Sequence, residues 1–144
     1  MERNAIIPAS YGIFTQEGKI LLVKRANSGY FDGYYSLPAG HVEVHETPIM
    51  ALLREMEEEL GVVMEEDDVT LATTSYRVIF DKQDRVDFFF FISKFEGEIT
   101  NLEPEKNEEL LWVSLEELPE NTIPYVADIL RAIESSERFV QVIE

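Results

Sequence analysis

The chain has 144 residues, enough for one hydrophobic core, and its 45% hydrophobic content excludes a disordered polypeptide. With 29 acidic against 12 basic residues the net charge is −17, which repels a nucleic-acid backbone, and no Lys/Arg-rich stripe in the sequence offsets it, so polymeric nucleic acid is excluded as a partner. The absence of Cys removes disulfides, thiolate zinc sites and cysteine nucleophiles. In chain order, MERNAIIPASYGIF lacks the basic segment, apolar core and small-residue cleavage site of a leader, and no apolar run approaches the roughly 20 residues that span a bilayer. The expectation is a soluble cytoplasmic protein with no membrane partner. Residues 6–14 and 19–25 are β-prone runs around Glu17-Gly18, a predicted hairpin, with Pro8 and Gly12 pointing to irregularity in the first strand. Residues 26–36, rich in Gly, Ser, Asn and Asp, read as a surface loop, in which Tyr30, Phe31, Tyr34 and Tyr35 either pack on the core or stack on a ligand.

A helix follows. Thr47 suits its N-cap, Pro48 its first position and Gly61 a left-handed stop, so it spans about residues 48–60. Residues 69–80 and 86–95 then form a predicted hairpin around the polar turn DKQDR. The run Phe88-Phe89-Phe90-Phe91-Ile92 lacks the alternation of a half-exposed strand and suits a central strand covered on both sides. The expected fold is therefore an α/β/α sandwich with a central mixed sheet, in one domain over residues 1–144. Residues 101–109, NLEPEKNEE, read as an acidic loop, 110–113 as a short strand, 124–135 as a helix, and 139–143 as a last strand or packed tail.

The central helix poses a physical question. At about 100° per residue, Ile49, Leu53, Met56 and Leu60 share one face, with Leu52 at its margin, whereas Glu55, Glu58 and Glu59 cluster roughly 130° away. Like charges at this spacing cost a few tenths of a kcal/mol each, and several-fold more if half-buried. A solvated acidic face is one reading. Against it, the only basic residue in the helix is Arg54, which precedes Glu58 and so takes the poorer orientation for an ion pair. Divalent cations relieve such repulsion better: Mg²⁺ takes oxygen ligands, is held by one or two carboxylates, and completes its shell with water and substrate phosphate.

The pattern Gly40-x5-Glu46-x7-Arg54-Glu55-Met56-x-Glu58-Glu59-x-Gly61-Val62 resembles the Nudix hydrolase signature without a gap, with every fixed position filled over 23 of the 144 residues. Upstream, Gly33, Leu37 and Pro38 resemble the family's approach to the motif, while Tyr35 stands where Trp is frequent, and Ala39 and His45 where Gly is frequent. The segment from Trp112 to Pro119 resembles a frequent late segment of the family. This resemblance implies a metal-dependent hydrolase that cleaves the pyrophosphate bond of a nucleoside diphosphate linked to another moiety, a small phosphorylated substrate, with Mg²⁺ or Mn²⁺ as cofactor; a monomer and a homodimer both fit. It implies that Glu55, Glu58 and Glu59 bind metal with the Gly40 carbonyl, that one of the glutamates acts as base, that Arg54 orients a motif carboxylate, and that Glu46 supports this geometry.

Two-metal hydrolysis needs more oxygen ligands than one helix face can supply, so a further carboxylate is expected from the acidic loop. Glu105, Glu108 and Glu109 are the candidates, with Glu108 and Glu109 favoured because the following strand holds them more rigidly. His41 and His45 lie near the motif, as solvated loop residues or as substrate contacts. Two alternatives to an enzyme are a nucleotide sensor of Nudix fold without turnover, and an acidic interaction protein with no metal site.

Overall fold

In the computed structural model, which describes residues 1–144, the first hairpin joins β1 (Ile7–Gln16) to β2 (Lys19–Arg25). Glu17 and Gly18 at φ +51° and +76° give the turn the mirror-image twist that suits a hairpin. Against expectation, β1 runs unbroken through Pro8 and Gly12. It pairs in parallel with β6 (Arg85–Ile92) along one edge and antiparallel with the short β4 (Ala39–His41) on the other. Pro8 accepts a bond from the Val42 N–H at 2.9 Å, and only the reciprocal bond is lost to its missing donor.

β6 also pairs antiparallel with β5 (Val69–Val78), which pairs in parallel with β8 (Phe139–Ile143), so the predicted last strand is present. On the other side β2 pairs with β3 (Tyr35–Ser36) and with β7 (Asn107–Val113). The eight-stranded mixed sheet runs β3-β2-β1-β6-β5-β8, with β4 and β7 off this path. β6 is central, as the phenylalanine run implied, and Phe89 and Phe90 are buried, but Phe91 keeps 39% exposure, so the cover on its side stops short of it. β7 starts three residues earlier than expected, which moves Glu108 and Glu109 out of the acidic loop and into a strand.

Helix α1 (Pro48–Leu60) covers one face of the sheet and α2 (Pro124–Glu134) the other, giving the predicted sandwich. Leu52, Met56 and Leu60 are fully buried with Phe14, Phe90 and Ile92, and Val126, Ile129 and Leu130 pack with Tyr11 and Phe89 on the opposite side. Two features of β1 set α1 close to the sheet. Gly12 has no side chain where a Cβ would lie 3.2 Å from Met56 Sδ and 3.4 Å from Leu52 Cδ1. Ser10, buried, donates from Oγ to the Pro48 carbonyl at 2.7 Å and fixes the helix start. Thr47 caps that start by accepting from the Met50 N–H, and Gly61, at φ +72°, ends the helix as predicted. No helix is long and apolar enough to cross a membrane.

Candidate active site

Arg54 is the hub of the α1 carboxylates. Its Nε and Nη2 grip Glu46 at 2.7 and 3.0 Å in a two-pronged fork; Nη1 reaches Glu55 at 2.7 Å and Glu58 at 3.4 Å. Nη2 also donates to the His41 carbonyl at 3.1 Å, which ties the helix to β4. The bond from Arg54 holds the Glu46 carboxyl below its ordinary pKa. Glu46 in turn accepts from the Glu43 N–H at 2.9 Å, so the loop between β4 and α1 closes on the same guanidinium. His45 in that loop sits at φ +68°, the conformation that explains why Gly is frequent there.

Gly40 lies directly beneath Glu55. A Cβ there would stand 2.1 Å from Glu55 Cδ, so the absence of a side chain is what admits the carboxylate. The Gly12 N–H bond to the Pro38 carbonyl and the Val42 N–H bond to the Pro8 carbonyl flank Gly40, which makes Ser10 and Gly40 a hydrogen-bonded pair of the ladder. One lone pair of the Gly40 carbonyl remains for another partner.

Glu59 is the most perturbed acid. Burial, then the charges of Glu55 and Glu103, raise its pKa to about 8, with Lys106 opposing. Its Oε2 is buried with no hydrogen-bond partner. Burial also raises Glu55, despite its bond to Arg54. Glu58 is exposed, and Glu57 points to solvent away from the other three.

The acid that joins this group from the late loop is Glu103, which was not among the three candidates. The reason is a backbone splice: the Thr100 and Leu102 N–H groups donate to the Leu60 and Glu59 carbonyls, both at 2.9 Å, so the loop caps the C-terminus of α1 and delivers the next residue beside Glu59. Glu103 pairs with Lys106 at 3.3 Å. Glu108 instead faces Lys24 at 3.8 Å, and Glu109 accepts from the Tyr35 hydroxyl, so neither favoured residue is drawn into the Glu55/Glu59 group. Glu105 is exposed, and its backbone carbonyl accepts from Asn27 Nδ2 at 2.7 Å.

As they stand, no three acidic side chains converge closely enough to hold an ion, and Arg54 occupies part of Glu55. The donor set nevertheless fits a hard divalent cation: an orphaned buried carboxylate oxygen on Glu59, a glycine cradle under Glu55, and only oxygen ligands nearby.

A cleft of about 450 Å³ opens beside this group, on the α2 side of the sheet, and reaches it at Gly40 and His41. Its floor is polar. Arg77 donates to Asp87 at 3.0 Å, and Tyr125 donates to the same carboxylate oxygen at 2.7 Å while contacting Ser75. His41 lines the cleft, where burial lowers its pKa, whereas His45 stays exposed outside it. Of the four loop aromatics, Tyr35 joins the core, Tyr30 lines the cleft, and Tyr30, Phe31 and Tyr34 form an edge-to-face cluster. Sequence reasoning named none of the cleft's cations. Their available sign was Arg77, Arg85 and Asp87, charged residues set inside otherwise apolar strands.

A mixed sheet between two helices, with a capped acidic helix gripped by its own arginine beside a cleft, defines the class: the chain belongs to the NUDIX domain family, whose model matches residues 7–133. It is 30% identical over 102 residues to an 8-oxo-dGTP diphosphatase from Proteus vulgaris, covering 69% of this chain and 87% of that protein. It is 27% identical over 135 residues to an RNA pyrophosphohydrolase from Erythrobacter litoralis, covering 82% and 81%. Among solved structures, a MutT NUDIX hydrolase from Burkholderia pseudomallei superposes with a TM-score of 0.78 at 28% identity, over 91% of this chain and 98% of that one.

Proposed function

We propose that this protein is a pyrophosphohydrolase of small nucleotides, cleaving a nucleoside diphosphate linked to another moiety with Mg²⁺ or Mn²⁺ at the Glu55/Glu58/Glu59 face of α1. The observation that carries this reading is the Glu59 carboxylate. A half-buried acid whose Oε2 is itself buried and unpartnered, next to two further carboxylates, is costly in a structural role and is what a cation site requires. When bound, the cation neutralises phosphoryl oxygens and acidifies water, which is a poor nucleophile at neutral pH.

The chain's own residues divide the remaining work. Glu59, Glu55 and Glu103, with the free lone pair of the Gly40 carbonyl, are the oxygens available to hold the metal. Arg54 fixes Glu55 against Gly40 and is itself fixed by Glu46, so a charge-assisted fork holds the ligand geometry. Glu58 is exposed and held only loosely by Arg54 at 3.4 Å, which leaves it free to take a proton from attacking water. The adjoining cleft has the size of a nucleotide subsite, and Tyr30 offers a flat ring at its wall. The names of the two relatives, a diphosphatase and a pyrophosphohydrolase, agree with this reaction class.

A hydrolysis screen of nucleoside triphosphates, nucleotide sugars, dinucleoside polyphosphates and ADP-ribose, with Mg²⁺ or Mn²⁺ and with EDTA, tests the proposal. Turnover of at least one class, abolished by EDTA, is the expected result. Metal-independent turnover, or none in any class, would remove the assignment.

A further inference from the structure

The cleft concentrates positive charge in an otherwise acidic protein. Four of the twelve basic residues, Arg25, Arg77, Lys82 and Arg85, line it, against one lining carboxylate, Glu144, and the buried Asp87 beneath. Arg77 and Arg85 share Asp87, at 3.0 and 3.7 Å, so the floor holds two guanidinium groups on one carboxylate. The Arg77 side chain is only 3% exposed and lies over the Tyr125 ring at 3.9 Å, yet its Nη1 has no hydrogen-bond partner; Arg85 Nε is also unbonded, and the Asp87 Oδ1 it faces at 3.7 Å is unbonded too. A buried cation with an unpartnered donor is costly, and an anion answers it. Glu144 stands in for one at present, its Oε1 lying 3.5 Å from Arg77 Nη1, too long for a strong ion pair. Lys82 and Arg25 have no acidic partner and both sit over the Tyr30 ring, at 5.8 and 5.4 Å.

This charge lies away from the α1 carboxylates. Gly40 pairs across β1 with Phe88, and Arg85 is three residues along β6 from that point. Two strand spacings and three residue rises separate their Cα atoms by about 14 Å, and Arg77, one strand further, by about 17 Å. One cleft runs from Gly40 and His41 to these cations, so a nucleotide whose pyrophosphate lies at Gly40 would extend along it toward them.

We propose that the Arg25/Arg77/Lys82/Arg85 cluster binds a second anionic group of the substrate, a phosphate carried on the ribose of the nucleotide whose pyrophosphate lies at α1. The inference rests on the hydrolase reading and narrows its substrate class from any nucleotide to one charged at both ends. Phosphate chemistry at the ribose is shared by a monoester and by the diester linkage to a second nucleoside, and the two are separable by experiment.

The test measures binding by calorimetry without metal, so that it does not depend on turnover. The probes are 5′-AMP, adenosine 2′,5′- and 3′,5′-bisphosphate, and the dinucleotide pApA. At least one probe with the additional phosphate is expected to bind tenfold or more tighter than 5′-AMP, with the margin shrinking at high salt. A preference for a bisphosphate identifies a monoester, and equal or better binding of pApA identifies a diester. Lys82→Gln is expected to reduce the preference severalfold, and Glu144→Gln, which frees Arg77, to increase it. Equal binding of all four probes would overturn the proposal even in an enzyme that hydrolyses unphosphorylated nucleotides well. A preference untouched by both variants would overturn its assignment to this cluster. If the preference is found and no substrate turns over, the hydrolase reading fails and the anion site stands.

Discussion

Replacing Glu59 by Gln is expected to stabilise the metal-free protein at neutral pH while changing little near pH 5. The Glu59 carboxyl has an ordinary pKa of 4.5 and is raised to about 8 in the fold, chiefly by burial. Between these two values the native state binds a proton that the unfolded chain does not, so stability is full below pH 4.5 and is lost progressively as the pH rises to 8. At pH 7 the difference is about 2.5 pH units, worth about 3 kcal/mol at ~1.4 kcal/mol per unit; at pH 5 it is under about 1 kcal/mol. Gln keeps the shape and has no proton to gain, so Glu59→Gln escapes this loss. Urea denaturation of both proteins in EDTA at pH 5 and pH 7 reads the difference directly. Adding Mg²⁺ is expected to reverse the order, because only the carboxylate gains from the cation. A Glu59→Gln protein less stable than the parent at pH 7, or a difference that does not grow with pH, would refute the picture of a frustrated acid with a buried, unpartnered oxygen.

Gly40→Ala places a methyl group against Glu55, so kcat is expected to fall at least a hundredfold with a stability loss of about 1–3 kcal/mol; a normal rate would show that Glu55 need not lie on Gly40. Glu103→Gln is expected to lower kcat at least tenfold, whereas Glu108→Gln and Glu109→Gln leave metal dependence unchanged, and the reverse ranking in steady-state kinetics would return the late acid to β7. Arg54→Lys loses the fork on Glu46, and a double-mutant cycle with Glu46→Gln is expected to show coupling of about 1–3 kcal/mol in urea melts. Glu57→Gln, on the solvent side of α1, is expected to be close to neutral in both rate and stability.

The site's skeleton was legible because it is local. Thr47, Pro48 and Gly61 mark the helix, and the 3.6-residue period separates its apolar stripe from Glu55, Glu58 and Glu59. Arg54 meets Glu46, Glu55 and Glu58 within one loop and two helical turns. The run from Phe88 to Ile92 similarly gave the central strand, because burial on both faces suppresses alternation. What was hidden depends on contacts distant in sequence. Glu103 reaches Glu59 only because the backbone of Thr100 and Leu102 closes the end of α1, and Asn107, Glu108 and Glu109 carry little intrinsic preference for the strand that pairing with β2 imposes. The absence of a basic stripe in the sequence did not exclude a basic cleft in the fold. Arg25, Arg77, Lys82 and Arg85 come from β2, β5, the turn after β5 and β6, and only the sheet register brings them to one cleft.

The most direct test of the α1 carboxylates as a metal-dependent hydrolytic centre is kcat for Glu58→Gln and Glu59→Gln on whichever substrate the screen identifies, at saturating Mg²⁺ and with each variant shown to be folded. Each substitution removes a charge and keeps the shape, so a fall of orders of magnitude in both is predicted. Full activity in both variants would contradict it.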